Sequence, residues 1–247
     1  MANDVILITG ASSDIGMALI RSLMSGPNPP VVLAHSYKGG ERIQSLQREF
    51  GERIQPFQAD FSKSAEVSAM ADAIAARHGV PTAIVHMPAM KVIHERFSKF
   101  PWEQFHGDMA VQLEAAIILL QRFLPKMAKL PRARVVFMLS FVTHNMPPKF
   151  MSYYTILKYA QLGLMRAVAA EYASTNVRIN GISPSTVETQ FLQDVTEVAV
   201  QMAAAASPQG RNATPQDLLG AIEFLLSPAA DYITGIDIPI TAGSTVC

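Results

Sequence analysis

The chain has 247 residues, with 20 Lys+Arg against 20 Asp+Glu, a formal net charge of +0 and a pI of about 7.0. This balance excludes the basic surface typical of nucleic-acid-binding proteins, and no apolar run approaches the roughly 18 residues that suggest a membrane span. The single cysteine, Cys247, excludes a disulfide scaffold. Because the amino terminus also lacks the features of a signal peptide, we expect a cytoplasmic protein.

Short β-branched runs alternate with longer segments of helical period. This alternation predicts an α/β fold, with a doubly wound, Rossmann-type parallel sheet of about seven strands and helices on both faces. The predicted strands are 5–9, 31–35, 54–59, 83–86, 134–140, 177–182 and 237–240. The predicted helices are 14–25, 40–50, 63–78, 101–128, 152–174, 190–206 and 214–226. We expect residues 1–247 to form one domain, since α/β sheets of about this length often do.

A glycine-containing turn joins the first predicted strand to the first helix, and it reads Thr9-Gly10-Ala11-Ser12-Ser13-Asp14-Ile15-Gly16. Glycine permits a tight turn and close approach of a ligand, and the helix offers unpaired N–H groups to a diphosphate. The pattern indicates a dinucleotide site in outline. By itself it is equally compatible with a plain strand-to-helix turn.

Tyr154 and Lys158 lie four residues apart, on one face of a predicted helix. An ammonium group beside a phenol favours the phenolate and lowers the pKa of the tyrosine towards the range useful for proton transfer. The spacing alone is also compatible with an amphipathic pair on a solvated helix.

Together, the turn and the Tyr-Lys pair resemble the short-chain dehydrogenase/reductase family, and the chain looks most similar to 3-oxoacyl carrier-protein reductases. Further landmarks at family spacing extend the resemblance along the chain: Asp60, residues 105–125, residues 177–184 followed by Thr189, and residues 232–235. The resemblance implies an oxidoreductase that transfers hydride between a nicotinamide cofactor and a carbonyl or alcohol carbon.

The resemblance also implies roles for individual residues. Tyr154 would protonate the substrate carbonyl, Lys158 would hold the nicotinamide ribose, and Gln112, aligned with a family asparagine, would support a water relay. The expected cofactor-binding residues are Gly10, Ser12, Ser13, Asp14, Ile15, Gly16, His35, Ser36, Lys38, Asp60, Phe61, His86, Met87, Pro88, Tyr154, Lys158, Pro184, Ser185, Val187 and Thr189.

The position of the family's catalytic serine, thirteen residues before the tyrosine, is occupied by Phe141. Ser140 is one residue early, and on a strand this offset directs its side chain to the opposite face. Ser140, if the loop slips, or Thr143 is therefore expected to donate to the substrate oxygen, with His144 and Asn145 as neighbouring alternatives. The loss of one such donor costs about 100- to 1000-fold in rate.

Two other departures concern the cofactor. His86-Met87-Pro88-Ala89 replaces the family's Asn-Asn-Ala-Gly, and His86 is compatible with either a packed strand end or a ring that faces the cofactor. Asp14 replaces a glycine and sets a negative charge near the diphosphate, although aspartate tolerates left-handed backbone and caps helices. We expect weakened rather than abolished binding.

The end of the second strand determines the expected choice of cofactor. It carries no carboxylate for the ribose hydroxyls of NAD, whereas His35, Ser36 and Lys38 offer donors to the extra phosphate of NADP. The sequence therefore favours NADP(H) over NAD(H), although Ser13 stands where a basic residue would strengthen this preference.

Residues 187–212 form an Ala- and Met-rich insertion, which is either a packed helix pair or a lid at the substrate site. With the loop 141–152 and the methionines Met87 and Met90, the insertion predicts an apolar site suited to an acyl chain, a polyketide or a ring.

A basic cluster is either solvated surface or a patch that steers an acidic carrier protein, and it comprises Lys126, Lys129, Arg132 and Arg134.

Helices 112–130 and 154–172 are apolar on more than one face, so we expect a homodimer or homotetramer. No Cys-His or carboxylate cluster has metal-ligand spacing, and no metal is expected.

Two hypotheses for the function follow from the sequence. The first is an NADP-dependent reductase of a small-molecule ketone or acyl thioester, with neither nucleic acid nor membrane as a partner. The second is a catalytically impaired subunit that binds cofactor or supports a heteromeric complex.

Overall fold

A computed structural model describes residues 4–38, 40–193 and 195–245. Cys247 and one residue of the predicted insertion, Asp194, lie outside the described residues. Seven strands form one sheet in the order β3-β2-β1-β4-β5-β6-β7, and every neighbouring pair is parallel. The strands are β1 Val5–Thr9, β2 Val31–Ser36, β3 Ile54–Gln58, β4 Ala83–His86, β5 Ala133–Met138, β6 Val177–Pro184 and β7 Asp237–Ile240. The predicted Rossmann-type sheet is confirmed.

The helices are α1 Asp14–Ser25, α2 Gly40–Phe50, α3 Ser64–His78, α4 Trp102–Asp108, α5 Ala115–Met127, α6 Ser152–Glu171, α7 Glu197–Ala206 and α8 Pro215–Leu226. Two predicted helices are divided. The predicted helix 101–128 is interrupted by a π-helical segment, Met109–Glu114, and the predicted helix 190–206 is a 3₁₀ turn, Gln190–Leu192, followed by α7. None of the helices in the described part of the chain has the length and hydropathy needed to cross a bilayer.

Alternating side chains on the strands build a separate core on each face of the sheet. Leu7 and Leu33 face the side packed by α3, α5 and α6, while Ile6 and Ile8 face the side packed by α1, α2 and α8. Because both faces are covered, the strands are apolar along most of their length. The polar side chains of the strands therefore lie mainly at their carboxyl ends.

The strand order reverses at β1, which lies between β2 and β4. This reversal brings the β1–α1 turn against the end of β4. A Cβ atom on Gly10, whose φ is +73°, would lie 3.1 Å from the Met87 carbonyl oxygen and the Pro88 nitrogen. A Cβ atom on Gly16 would lie 2.5 Å from the Ala11 carbonyl oxygen. Both glycines are therefore required by close backbone packing at this turn.

The close packing at Gly16 predicts the effect of adding a methyl group. We expect Gly16→Ala to lower the free energy of unfolding by about 1–3 kcal/mol, because rigid backbone lies where the methyl group must go. The matched control is Gly220→Ala, in the exposed part of α8, where a Cβ atom meets nothing within 4 Å. This control should raise stability by about 0.5–1 kcal/mol. Urea unfolding measures both changes, and equal stabilities for the two variants would contradict this packing.

Candidate active site

A cleft of about 760 Å³ opens at the carboxyl ends of the strands, where the strand order reverses. Its lining comes from the β1–α1 turn, the ends of β4, β5 and β6, the helix α6 and the segment 184–203. Ligands of doubly wound sheets bind at this edge. The predicted residues that line the cleft are Gly10, Ser12, Ser13, Asp14, Ile15, His35, Asp60, Phe61, Met87, Pro88, Ser140, Tyr154, Lys158, Pro184, Ser185, Val187 and Thr189.

Tyr154 and Lys158 face this cleft from α6, and Lys158 Nζ lies 5.6 Å from the centre of the Tyr154 ring. The Lys158 side chain is buried, and its ammonium donates to the Met138 carbonyl oxygen at 3.0 Å. Burial lowers the pKa of Lys158 to about 7, partly opposed by the negative charge of Asp108. The lysine can therefore lose its charge near neutral pH.

Burial also acts on Tyr154, and it raises the pKa of the phenol to about 12 against the opposing effect of a hydrogen bond with Ser140. The expectation that Lys158 lowers the pKa of Tyr154 below its usual value is therefore wrong for this structure, because removal of the phenolate from water outweighs the nearby polar groups. The phenol is protonated at neutral pH and available as a proton donor.

Ser140 lies next to Tyr154, which matches the alternative in which the loop after the strand slips and Ser140 is not turned away. Strand β5 ends at Met138, so the alternation of a strand does not extend to Ser140. Ser140 has extended backbone and precedes a 3₁₀ turn, Phe141–Thr143, and its side chain lies close enough to the phenol to oppose the rise in the pKa of Tyr154. This turn accommodates the one-residue difference between Ser140 and the position of the family's serine. Ser140 thus offers the hydroxyl that the sequence lacks at Phe141.

The alternative donors do not reach the cleft. Thr143 is buried, and its hydroxyl donates to the Ser140 carbonyl oxygen at 2.9 Å. His144 Nε2 lies 2.9 Å from Asp237 Oδ2, and Asn145 Nδ2 donates to the Ser244 carbonyl oxygen. The predicted role of Thr143 as a substrate donor is therefore wrong, since its hydroxyl stabilises the 3₁₀ turn beneath Ser140.

Gln112 is fully buried and lies outside the cleft lining. Its side-chain Nε2 donates to Asp108 Oδ1 at 2.7 Å. Its backbone carbonyl accepts from His86 Nε2 at 2.9 Å and from Gln161 Nε2 at 3.0 Å. The predicted water relay through Gln112 is not supported, because its amide is turned towards Asp108 and protein donors occupy its carbonyl.

His86 is a packed strand-end residue, and the alternative of a ring that faces the cofactor is wrong. Its Nε2 donates to the Gln112 carbonyl oxygen, so its Nδ1 accepts from the Thr9 hydroxyl at 3.0 Å. Burial lowers the pKa of His86 to about 3, and the ring is neutral. It joins β1, β4 and the π-helical segment behind the reactive pair.

The β1–α1 turn fits a diphosphate. The Ser13 hydroxyl accepts from the Gly16 N–H at 3.1 Å, which leaves the first-turn N–H groups of Asp14 and Ile15 without an acceptor in the described part of the chain. Unpaired first-turn N–H groups and the helix dipole favour an anion. Gly16 itself lies outside the cleft lining, and its predicted cofactor contact is replaced by its packing on Ala11.

On the other side of the turn, His35 stacks on Phe61 with ring centres 3.8 Å apart. Its Nδ1 accepts from the Gly10 N–H at 3.3 Å, so its Nε2 donates to the Ala59 carbonyl oxygen at 3.1 Å. Burial lowers the pKa of His35 to about 4. The prediction that His35 donates to a phosphate is therefore wrong, because the ring is neutral and its only N–H is used within the protein.

Ser36 and Lys38 are also absent from the cleft lining. Ser36 is buried, and Lys38 is exposed with its Nζ over the Tyr37 ring. Besides Lys158, the cleft lining contains the cation Arg42, in the first turn of α2, and its Nη2 lies 2.6 Å from Asp14 Oδ1. Sequence reasoning missed Arg42, since its pairing with Asp14 joins two helices that only the tertiary fold brings together.

The insertion 187–212 contributes one wall of the cleft. Among its described residues, the cleft is lined by Val187, Thr189, Gln190, Leu192, Val195, Ala199, Val200 and Ala203. The described part forms one short turn and the single helix α7 rather than a packed helix pair, and no residue of α7 is buried. Asn212 anchors the helix through its Nδ2, which donates to the Val200 carbonyl oxygen at 3.1 Å.

The predicted basic cluster lies away from the cleft, because it precedes β5 and enters that strand at its amino end. Arg134 is buried and pairs with Asp231, and Arg132 pairs with Asp4 at 3.4 Å. This position does not suit the steering of a carrier protein towards the cleft.

Across residues 4–38, 40–193 and 195–245, no group of three or more His, Cys, Asp or Glu side chains is placed to hold a metal ion.

Comparisons with known proteins find relatives along almost the whole chain. The family model described as enoyl-(acyl carrier protein) reductase matches residues 10–245. Dehydrogenase/reductase SDR family member 4 of Bos taurus is 26% identical over 244 residues, which cover 98% of this chain and 87% of that protein. The short chain dehydrogenase/reductase astE of Aspergillus oryzae is 28% identical over 251 residues, covering 97% of this chain and 94% of that protein.

Solved structures show the same fold. The 3-ketoacyl-(acyl-carrier-protein) reductase from Brucella melitensis, complexed with NADH, has a TM-score of 0.88 at 22% identity and matches 98% of each chain. ElxO with NADP bound has a TM-score of 0.88 at 21% identity, again over 98% of each chain. This chain belongs to the short-chain dehydrogenase/reductase family of oxidoreductases, as its sequence motifs predict.

The neutral buried rings predict a loss of stability in acid. His86 has its pKa lowered from 6.5 to about 3 in the folded chain, and His35 to about 4, so the unfolded chain binds more protons between these values. Stability is therefore complete above about pH 6.5 and falls by a few kcal/mol as the pH drops to about 3. We expect His86→Gln, which retains a donor and an acceptor, to show a shallower decline in urea unfolding. His106→Gln, in the exposed part of α4, is the control, and an unchanged slope for His86→Gln would contradict this assignment.

Proposed function

We propose that this protein is an NADP(H)-dependent reductase that converts a ketone with apolar substituents into a secondary alcohol. The observation that carries the proposal is the protonated Tyr154 phenol, which lies beside Ser140 in a cleft that it shares with the buried Lys158. NADPH, when bound, supplies the hydride that adds to the carbonyl carbon. Tyr154 then gives its proton to the carbonyl oxygen, so that hydride and proton together form the alcohol.

The protein's own groups support this proton transfer in two ways. Ser140 lies beside the phenol and donates its one hydroxyl hydrogen to the substrate oxygen as negative charge develops there, which is the role of an oxyanion donor. Lys158, with its Nζ 5.6 Å from the ring centre, offsets the negative charge that forms on Tyr154 as the proton leaves. Solvent then returns a proton to the phenolate before the next turnover.

The nicotinamide nucleotide fits the described residues. The β1–α1 turn offers unpaired N–H groups to its diphosphate, and Asp60 and Phe61 line the cleft beyond the end of β3. The preference for NADP(H) is supported by the absence of a carboxylate after β2 and by Arg42 in the lining. Two structures of the same fold were solved with NADP and with NADH, and both support a nicotinamide cofactor here.

The substrate class is inferred from the cleft walls, which are largely apolar. The apolar lining includes Met90, Val92, Leu139, Phe141, Met151, Leu192, Val195, Ala199, Val200 and Ala203. Such walls favour an alkyl chain or a ring over a sugar. A relative that is 24% identical over 99% of this chain is named cis-4-hydroxycyclohexanecarboxylate dehydrogenase, which supports a cyclic ketone as the first candidate.

The first test removes the phenolic hydroxyl. We expect Tyr154→Phe to lower the rate of NADPH-dependent ketone reduction by about 10²- to 10⁴-fold, the range for loss of a general acid. NADPH should still bind, since the hydroxyl is needed for the proton transfer. Rates would be measured by NADPH oxidation against cyclic ketones, 2-alkanones and acyl thioesters, and binding by fluorescence titration.

The adjacent Tyr153 provides the matched control. It is buried, lies outside the cleft lining, and accepts a hydrogen bond from the Ile93 N–H at 2.9 Å. Tyr153→Phe should therefore lower stability by about 1 kcal/mol while turnover changes little. Equal ketone rates for the wild type and a folded Tyr154→Phe would overturn the reductase proposal and favour the alternative of a non-catalytic, cofactor-binding or structural subunit.

The second test uses pH. Lys158 carries its charge below about 7 and loses it above, whereas Tyr154 remains protonated up to about 12. We therefore expect kcat/KM for ketone reduction to be constant below about pH 6 and to decline by up to about tenfold per unit well above pH 7. A profile measured from about pH 5.5 to 9 checks this. A kcat/KM that rises through neutral pH would contradict the role of the Lys158 charge.

A further inference from the structure

Asp108 ends helix α4 and is fully buried, yet neither the cofactor site nor the proton transfer described above uses it. Three neutral donors reach its carboxylate in the described part of the chain. Gln112 Nε2 and the Met90 N–H donate to Oδ1 at 2.7 and 3.2 Å, and Gln104 Nε2 donates to Oδ2 at 3.0 Å. A buried carboxylate is costly unless it is both hydrogen-bonded and paired with a positive charge. The donors meet the first requirement, and the second requires a nearby cation.

This cation is Lys158, on the facing helix α6. Lys158 and Gln161 lie three residues apart and therefore share one face of α6. Gln161 Nε2 donates to the Gln112 carbonyl oxygen at 3.0 Å, and the Gln112 side chain in turn donates to Asp108. These contacts place Asp108 across the interface from the turn of α6 that carries Lys158. Burial lowers the pKa of Lys158, and the negative charge of Asp108 opposes this effect.

The other titratable groups packed around Lys158 and Asp108 carry no charge near neutral pH. Burial lowers the pKa of His86, at the end of β4, to about 3. It raises the pKa of Tyr153 and of Tyr154, on α6, to about 12. The charge on Lys158 near neutral pH therefore depends on Asp108.

Asp108 also holds one wall of the cleft in place. Met90 lines the cleft, and its backbone N–H is bound by Asp108. Gln104 Nε2 joins the same carboxylate to the Lys91 carbonyl oxygen, at 3.0 Å. The Met90 side chain packs closely on α4, since a Cβ atom on Gly107 would lie 3.2 Å from Met90 Sδ. The loop that follows β4 is thus fixed to the end of α4 through Asp108.

We propose that Asp108 is a positioning residue of the reductase, which supplies the counter-charge of Lys158 and fixes the loop after β4 as a wall of the cleft. The proposal rests on the proposed function, in which the Lys158 charge offsets the phenolate that forms on Tyr154. Asp108 lies outside the cleft lining and acts through Lys158 and Met90 rather than on the substrate itself.

The first experiment measures the charge on Lys158 without any turnover. In protein labelled with ¹³C-lysine, the Cε resonance of Lys158 is followed by NMR as the pH changes, and Lys158→Arg assigns it. We expect a midpoint near pH 7 in the wild type and a midpoint about one pH unit lower in Asp108→Asn, because an opposite charge at close range favours the ammonium by at least this much. Asp108→Glu, which keeps the charge, should restore the wild-type midpoint.

The second experiment measures the same effect in the reaction. At about pH 5.5 Lys158 is charged in both proteins, so kcat/KM for ketone reduction by Asp108→Asn should lie within a few-fold of the wild type. At about pH 8 it should fall up to about tenfold further, because the midpoint is lower. Thermal unfolding confirms that each variant is folded. If Asp108→Asn is not, the smaller and equally uncharged Asp108→Ser replaces it in both experiments.

Two variants serve as controls. Asp72→Asn makes the same change of side chain at the surface of α3, where Asp72 pairs with Arg122 at 2.6 Å and is 64% exposed, and it should leave the Lys158 midpoint unchanged. Gln104→Leu removes a neutral donor to Asp108 and to the Lys91 carbonyl. It should raise KM for the ketone a few-fold, because the wall is loosened, and leave the Lys158 midpoint in place.

The outcomes separate this role of Asp108 from the reductase itself. Equal Lys158 midpoints in the wild type and Asp108→Asn, or a loss of kcat/KM that is the same at every pH, would overturn the proposal. Ketone reduction that still depends on Tyr154 would then leave the reductase standing. Conversely, a lowered midpoint in Asp108→Asn with equal ketone rates for wild type and Tyr154→Phe would support the charge pairing and overturn the reductase.

Discussion

The neutral imidazole of His86 is the contact on which the geometry of this site depends. It accepts from the Thr9 hydroxyl on β1 and donates to the Gln112 carbonyl in the π-helical segment, while its own backbone ends β4. Three elements are thereby held at the point where the strand order reverses. Because the ring is buried, it can make this bridge only as an uncharged group with one donor and one acceptor. The bridge keeps the nucleotide turn beside the helix that carries the reactive tyrosine.

The departures from the family pattern are connected through this buried network. Gln161 and His86 both donate to the Gln112 carbonyl, and the Gln112 amide in turn donates to Asp108. Asp108 also accepts from the Met90 N–H, which ties the helix to the loop that lines the cleft. These polar groups hold the frame of the site, and His86 and Gln112 therefore lie outside the cleft lining.

Burial favours the neutral form of both reactive groups, so it raises the pKa of Tyr154 and lowers the pKa of Lys158. It favours the neutral phenol of Tyr154 and disfavours the ammonium of Lys158. A protonated phenol is the form needed to donate to a carbonyl oxygen, while the positive charge of lysine becomes useful only as that proton leaves. The enclosing apolar walls strengthen both effects, because charge is less screened away from water.

Local sequence determined the strand and helix pattern, the Rossmann-type sheet, the nucleotide turn and the Tyr154–Lys158 pair, since periodicity and short spacings act over a few residues. Tertiary structure decided the rest: Ser140 lies beside Tyr154 because β5 stops early, Thr143 and Gln112 turn away from the cleft, and Arg42 lines the cleft while the His35 ring is neutral. These outcomes depend on where a strand ends and on contacts between residues far apart in the chain, such as the pairing of Arg42 with Asp14 and Gln190. Such contacts form only when the packed elements bring their side chains together, and no local pattern in the sequence records them.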